Sequence, residues 1–313
     1  MGQIIIADAV DGLRQIESES CDTCVTSPPY FQQRNYGVDG QIGLEDTPEA
    51  FISRIVDVFR EVKRVLRNDG TLWVVISDSY AGSGKNAGNK KPHPKARKGL
   101  EHSGDTLPRY KIKNYKPKDL IGIPWMLAFA LRDDGWYLRQ DIIWNKPNCM
   151  PESVTDRCTK SHEYIFLLSK SKRYYYDSDA IKEPAKYDGR KDTYNKGSIK
   201  YDVPCVPGKT VQTQNVAGKP HERWIFKDGF AIKNKRDVWT IATKPYKKAH
   251  FAVFPPELIR PCIRAGSRRG GIVLDPFAGS GTTAKVAVEE GRDFICIDIN
   301  PQYRKLIEQK VGG

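Results

Sequence analysis

An open parallel α/β sheet with helices on both faces, carrying a smaller irregular lobe, is the fold class this sequence predicts. Three observations predict it. From residue 255 the chain alternates helix, strand, helix, strand, helix, the pattern of a doubly wound sheet. Residues 71–77, "TLWVVIS", are a continuous apolar run, as expected of a strand covered on both faces. Residues 174–250 interrupt the alternation with many Tyr, Lys and Gly and weak periodicity, and read as a separate lobe. The expected division is therefore 1–173, 174–250 and 251–313, with the first and last pieces forming one sheet.

Each element has a local reason. "QIIIAD" (3–8) reads as a buried strand followed by a short helix through "GLRQI", and "CDTCVTS" (21–27) as a second strand. In 48–67, apolar residues at 51, 52, 55, 58, 59, 62, 65 and 66 make a helical stripe. Pro48 suits its first turn, and Asp69-Gly70 is expected to stop it. Residues 80–117, rich in Gly, Lys and Pro, are expected to form a mobile loop. A helix follows at about 118–133, then strands at 137–144 and 163–169. The closing elements are helix "PELIRPCIRAG", strand "GIVLD", helix "GTTAKVAVEEG", strand "FICID" and helix "PQYRKLIEQKV".

The bulk composition narrows the partner. A net charge of +13, from 51 Lys and Arg against 38 Asp and Glu, points to a polyanion. The excess is concentrated in 85–118, which contains Lys90, Lys91, Lys95, Arg97 and Lys98. No window of eighteen apolar residues suggests a membrane span, and the first residues lack a secretory pattern. Seven cysteines without dense spacing suit a reducing compartment. Cys21 and Cys24 lack the second pair that a zinc site needs, so no metal is expected.

Two short stretches carry the chemistry. In "VTSPPYF" (25–31) neither proline has an N–H, and each fixes φ near −65°. Pro28 also keeps Ser27 out of the helical region. The result is a stiff turn that projects a hydroxyl, two unbonded carbonyls and the ring of Tyr30. In "GGIVLDPFAGSGTTAKVAVEEGRDFICIDIN" (270–300) a strand ends at Asp275, and Gly279-Ser280-Gly281 lead into a helix at Thr282. The next strand ends in Asp298, 23 residues after Asp275. Glycines at such a turn let a ligand approach the backbone, and an acid at the second strand tip suits ribose hydroxyls. This is neither the dinucleotide fingerprint nor a P-loop. Asp275 is expected to face the turn, where it would repel a pyrophosphate and attract a cation.

At these residues the sequence resembles the β class of amino-methylating DNA methyltransferases. "TSPPY" resembles their catalytic (D/N/S)-P-P-(Y/F/W) motif, and "DPFAGSGTT" resembles their S-adenosylmethionine motif. The order is that of the β class, catalytic motif first and cofactor motif last. "IIIADAVDGL" resembles the segment preceding the catalytic motif, and "RVLRNDGTLWVVISDSY", "IIWNKP", "KSHEYIFLLSKSKRYYYD" and "TKPYKKAHFAVFPPELIRPCIRAGSRRGGIVLDPF" resemble the segments that follow it, so the resemblance runs nearly the whole chain. It implies a Rossmann-like sheet with both motifs at the carboxyl ends of neighbouring strands. It also implies S-adenosylmethionine as cofactor, held by Asp8, Asp275, Pro276, Phe277, Ala278, Gly279, Ser280, Gly281, Thr282, Thr283 and Asp298.

The resemblance explains the first turn. An exocyclic amine is a poor nucleophile because its lone pair is delocalised into the ring. Ser27 and the Pro28 carbonyl can accept its two N–H bonds and free that pair, with Pro28 and Pro29 fixing the acceptors in advance. The base must leave the duplex, and Tyr30 is expected to stack on it through its ring, without need of the hydroxyl. Asp78, at the end of "VVISD", is expected either to accept a proton or organise the site, or to serve as a cap. Ser in the first motif position resembles the cytosine-N4 enzymes. A hydroxyl both donates and accepts, so its chemistry leaves adenine N6 open. A DNA-binding protein on an inactive fold and a protein-glutamine methyltransferase are the readings from other classes. The expected partner is double-stranded DNA, beside a cognate restriction endonuclease, in the cytoplasm of a prokaryote or encoded by a phage. Oligomeric state is left open. Target recognition falls to 174–250, with Tyr174, Tyr175, Tyr176, Arg190, His221, Arg223 and Trp224 as candidates.

Overall fold

The computed structural model describes residues 2–33, 35–82, 115–184, 211–214, 220–227, 230–243 and 254–312, with backbone alone for 211–232. Its elements run β1 (Gln3–Ile6), α1 (Ala9–Arg14), β2 (Cys21–Thr26), α2 (Pro48–Val65), β3 (Leu66–Ile76), α3 (Ile123–Asp133), β4 (Tyr137–Asn145) and β5 (His162–Ser169). The short strands β6 (Glu183–Pro184), β7 (Val211–Gln214), β8 (Pro220–Lys227) and β9 (Phe230–Lys233) follow. Then come β10 (Val238–Thr240), α4 (Pro256–Gly266), β11 (Ile272–Asp275), α5 (Thr282–Glu289), β12 (Asp293–Asp298) and α6 (Gln302–Val311).

Eight strands form one sheet in the order β1-β12-β11-β2-β3-β5-β4-β10. All are parallel except β5, which runs antiparallel to both β3 and β4. The sequence expectation of a parallel sheet is thus correct but for this strand. Strand β3 shows why the apolar runs are continuous. Leu72, Val74 and Ile76 join the core cluster that contains α1, α2 and α3, while Trp73 and Val75, also buried, alternate to the other face. On that side Gly266 of α4 lies so near the sheet that a Cβ there would meet Thr23 and Thr71 hydroxyls at 2.7 Å.

Helix α2 begins where predicted. Thr47 caps it by accepting from the Ala50 N–H at 3.1 Å, and Pro48 occupies its first turn. Phe51, Ile55, Val58, Phe59 and Val62 are fully buried along its stripe. Its stop differs from the expectation. Leu66 turns extended, with ψ of 140°, and starts β3 at once, so Asp69-Gly70 lie inside a strand and not at a cap. Helix α3 also starts later than expected. Lys118 and Gly122 have positive φ, 77° and 86°, which no helix continues through.

Two compact units divide the chain, Asp177–Arg236 and the remainder. The smaller unit holds a four-stranded sheet in the order β6-β9-β8-β7. It is shorter than the predicted 174–250 segment. Tyr174, Tyr175 and Tyr176 belong to the larger unit, and so does β10, which pairs Trp239 with Trp144 of β4. Three residues of strand are too few to show periodicity, which is why β10 was hidden.

Candidate active site

Strands β2 and β11 are parallel neighbours, Leu274 lying opposite Cys24, so their carboxyl ends emerge side by side. There the two stretches, 249 positions apart, are tied together. Asp275 accepts from the Thr26 hydroxyl at 2.6 Å, from the Thr283 hydroxyl at 2.6 Å and from the Phe277 N–H at 3.1 Å. It is 1% exposed, and burial pushes its carboxyl up to about 6 against the pull of those donors. The expectation that Asp275 faces a ligand is corrected. It sits behind the cavity wall, joining the residue before Ser27 to the first turn of α5.

A cavity of about 500 Å³ opens at these strand ends. Ser27, Pro28, Pro29 and Tyr30 line one part of it, and Pro276, Phe277, Ala278, Gly279, Ser280, Thr282 and Asp298 line another. Asp8 joins the wall, with one carboxylate oxygen accepting from the Val10 N–H at 2.9 Å to cap α1. Gly281 and Thr283, like Asp275, stand outside the lining. Gly281 shapes the turn with φ of 78°, and a Cβ there would strike Ile307 of α6 at 2.8 Å.

Asp298 ends β12 and lines the cavity. Its oxygens accept from the Gly279 N–H at 2.8 Å and the Asn300 N–H at 2.9 Å. Burial raises its carboxyl to about 6, and the two N–H groups pull the other way. Above the turn, Lys310 of α6 donates to Ser280 Oγ at 2.8 Å and Thr282 Oγ1 at 3.2 Å. Burial, and then the charge of Lys285, lower that ammonium to about 8.

The turn after β2 holds more than a ring. The Tyr30 hydroxyl donates to Glu163 Oε2 at 2.7 Å. Burial, and next the charge of Glu163, push the phenol far above its ordinary value. Glu163 Oε1 pairs closely with the Lys146 ammonium, which lies 4.5 Å from the Trp144 ring centre. Glu163, Lys146 and Trp144 line the cavity. Sequence reasoning placed "IIWNKP" and "SHEYIF" in the sheet but missed these side chains. The available signal was Glu163 near the start of the mostly apolar β5 and Lys146 one residue past the end of β4. Asn300 and Tyr303, also in the lining, had no comparable signal.

Asp78 takes the capping role of its two expected ones. It accepts from the N–H groups of Ser79 at 2.9 Å, Gly122 at 3.0 Å and Ile123 at 3.1 Å, fastening the start of α3. It is not part of the cavity lining. Lys90, Lys91, Lys95, Arg97, Lys98 and Arg190 lie outside the described residues, and Arg223 is described only as backbone of β8.

S-adenosylmethionine fits the groups present. Gly279, with φ of 50° and nothing within 4 Å of a notional Cβ, leaves the backbone open to close approach. Asp298 supplies a carboxylate at the strand tip and Phe277 an apolar surface, and the volume suits a nucleoside-sized ligand.

Known proteins resemble this chain in sequence and in fold. The profile of a family described as DNA methylase matches residues 21–309. The Type II methyltransferase M.SmaI from Serratia marcescens is 46% identical over 309 residues, covering 99% of this chain and 90% of that protein. The Type II methyltransferase M.XycI from Xanthomonas campestris pv. cyanopsidis is 44% identical, covering 98% of this chain and 86% of that protein. Among solved structures, the PvuII DNA methyltransferase (cytosine-N4-specific) superposes with a TM-score of 0.62 at 18% identity, over 99% of this chain and 86% of that one. The M1.HpyAVI–SAM complex superposes with a TM-score of 0.54 at 16% identity, over the whole of both chains.

Proposed function

The chain belongs to the N4/N6 family of DNA amino-methyltransferases that use S-adenosylmethionine, and from that premise we propose that it methylates the N4 amine of a cytosine flipped out of duplex DNA. One observation carries the reading. Ser27 and Pro28 share a cavity with the Gly279 turn and Asp298, and Asp275 holds the two walls in register.

The cofactor, when bound, supplies a methyl group on a sulfonium. The residues of the chain do the rest. Ser27 Oγ and the Pro28 carbonyl accept the two N–H bonds of the amine, which pulls its nitrogen toward tetrahedral and frees the lone pair. The prolines fix both acceptors before the base arrives, so little reorganisation is needed during reaction. The Tyr30 ring, packed against the core, offers a stacking surface. Asp298 accepts from ribose hydroxyls, and Asp8 is placed to contact the adenine. Lys90, Lys91, Lys95, Arg97 and Lys98 neutralise phosphates without reading sequence. The unit Asp177–Arg236, with Arg190 and Arg223, reads the target.

Cytosine is preferred over adenine because Ser27 stands in the first motif position. The relatives are Type II methyltransferases, so a cognate restriction endonuclease is the expected companion. No helix among the described residues is long and apolar enough to cross a membrane, and the proposed location is the cytoplasm, beside the DNA. Mass spectrometry of nucleosides from DNA methylated by the purified enzyme tests the reading. N4-methylcytosine is expected. N6-methyladenine would overturn the base and keep the amine chemistry, and 5-methylcytosine would overturn both.

A further inference from the structure

Gly281 marks a close contact behind the cavity wall. A Cβ there would strike Ile307 of α6 at 2.8 Å, so α6 lies directly against the turn. Ile307 is fully buried, and Lys310 follows it by three positions, on the same face of the helix. That brings the Lys310 ammonium onto the residues on either side of Gly281. It reaches Ser280 Oγ at 2.8 Å and Thr282 Oγ1 at 3.2 Å.

These bonds have a fixed direction. An ammonium has donors only, so both hydroxyl oxygens accept from it and each hydroxyl hydrogen points elsewhere. Ser280 and Thr282 are 6% and 4% exposed, and neither hydroxyl has a protein acceptor among the described residues. Both residues line the cavity, and Lys310 does not. Buried donors without an acceptor are unfavourable unless a ligand accepts from them. The corner is also positive, because Gly281 leaves the start of α5 without a side-chain cap.

We propose that Lys310 is a positioning residue which, from behind the wall, turns Ser280 and Thr282 into paired donors for the carboxylate of the cofactor's amino-acid end. The proposal rests on the reading of this cavity as the S-adenosylmethionine site. Chemistry selects the carboxylate among the cofactor's groups. The sulfonium and the ammonium are cations, which Lys310 and the start of α5 repel. The ribose hydroxyls call for the acceptor that Asp298 supplies. The carboxylate is the one anionic group, and it accepts from two donors at once. Burial, and then the charge of Lys285, lower the Lys310 ammonium only to about 8, so at neutral pH most of it is charged and donating.

The test is calorimetry with S-adenosylmethionine and with its decarboxylated form, which lacks only the carboxylate. The proteins are wild type, Lys310→Met, Ser280→Ala, Thr282→Val and the double variant Lys310→Met/Thr282→Val. Lys310→Met, which keeps an unbranched stem, is expected to weaken S-adenosylmethionine about 10-fold, the lower end for a hydrogen bond to a charged group. The decarboxylated form should stay within about two-fold of its wild-type affinity. Ser280→Ala and Thr282→Val should show the same selective loss, and they answer the question even where Lys310→Met folds poorly, because they leave α6 untouched. The double variant should lose less than the product of its two single losses, because Lys310 acts through the hydroxyl. Equal losses for both ligands would reduce Lys310 to a structural tie between α6 and the turn. No loss in any variant, or a wild type that binds both ligands equally, would overturn the carboxylate assignment, and losses that multiply would overturn the action through the hydroxyls. Asp298→Ala tests the reading of the site separately. It should weaken both ligands, which share the ribose, and unchanged affinity for both would move the cofactor out of this cavity and overturn the proposal with it, whatever the Lys310 variants do.

Discussion

The turns after β2 and β11 leave the same sheet edge from neighbouring strands and are built in opposite ways. The first is made rigid by Pro28 and Pro29, which remove backbone freedom and every N–H between Ser27 and Tyr30. Its backbone at Pro28 and Pro29 can offer acceptors only, and an amine that must be stripped of its delocalisation requires acceptors. The second is made compact by Gly279 and Gly281, both at positive φ, and it keeps its N–H groups. One of these holds Asp298 in place. The difference teaches that the reacting group and the bound group make different demands. A reacting amine needs groups fixed in advance, and a bulky nucleoside needs backbone without side chains. Asp275 couples the two, so neither turn shifts alone.

The comparison breaks first at Ser27. If the proline turn serves reaction and the glycine turn serves binding, Ser27→Ala should cost about 10²–10³ in turnover, as for loss of one group aimed at a reacting centre. Cofactor affinity by calorimetry should hardly change. Equal losses in both quantities would show that the turns are not separable in function.

The coupling itself is the next largest effect. Asp275→Ala leaves the Thr26 hydroxyl and the Phe277 N–H without an acceptor, and the Thr283 hydroxyl with only the Val25 carbonyl at 3.4 Å, and should destabilise the fold by about 2–3 kcal/mol, at roughly 1 kcal/mol or more for each orphaned group. Asp275→Asn keeps an oxygen for Thr26 and Phe277 and an amide for Thr283, and should fold well. The pH dependence has a definite sign. The folded carboxyl is raised from 3.8 to about 6, so its stabilising contribution is present at low pH and lost as pH rises through about 6. Relative to wild type, Asp275→Asn should gain on the order of 2–3 kcal/mol between pH 4 and pH 7, from a shift of about two units. Urea unfolding of both proteins at each pH checks it, and parallel curves would refute the buried charge.

On the glycine side, Asp298→Ala should weaken cofactor binding by about 1.5–3 kcal/mol, the range for hydrogen bonds to a charged group. Because Asp298 is raised to about 6, the ionised acceptor is present above that pH and lost below it. Wild-type affinity should fall as pH drops through about 6, and the Asp298→Ala affinity should stay flat over that step. A slope in the variant would place the titrating group elsewhere.

Both turns were legible in the sequence because their special residues act through the backbone. Proline and glycine announce conformations at any position, and a run such as "GIVLD" announces a covered strand. What was not legible depends on pairing across the fold. Asp275 read as a ligand contact because its two threonine partners, Thr26 and Thr283, become neighbours only when β2 lies against β11. Asp78 could be assigned to its cap only once Gly122 was known to open α3. Glu163 was missed because its partner, Tyr30, lies 133 positions away, and Lys146 because its contact is with Glu163 on the neighbouring strand. The antiparallel direction of β5 left no mark in its composition, since a strand buried on both faces reads the same either way.

The smallest effect separates two glycines of one turn. Gly279 and Gly281 both adopt positive φ, 50° and 78°. Alanine pays the left-handed backbone penalty at either position, about 1 kcal/mol. Their surroundings differ. A Cβ at 279 meets nothing within 4 Å, whereas one at 281 meets Ile307 Cγ1 at 2.8 Å and its Cα at 3.1 Å. Gly281→Ala must therefore also move α6 away from the turn, and it should lower the unfolding free energy by about 1–3 kcal/mol more, the usual cost of overpacking. Gly279→Ala should remain near the backbone penalty in stability and show its effect in cofactor affinity, because Gly279 lines the cavity and Gly281 does not. Thermal unfolding and calorimetry on the pair give the two axes. If Gly279→Ala lost stability but not affinity, the openness of that residue would be a property of the turn alone, and the glycine turn would lose its claim to be shaped for a ligand.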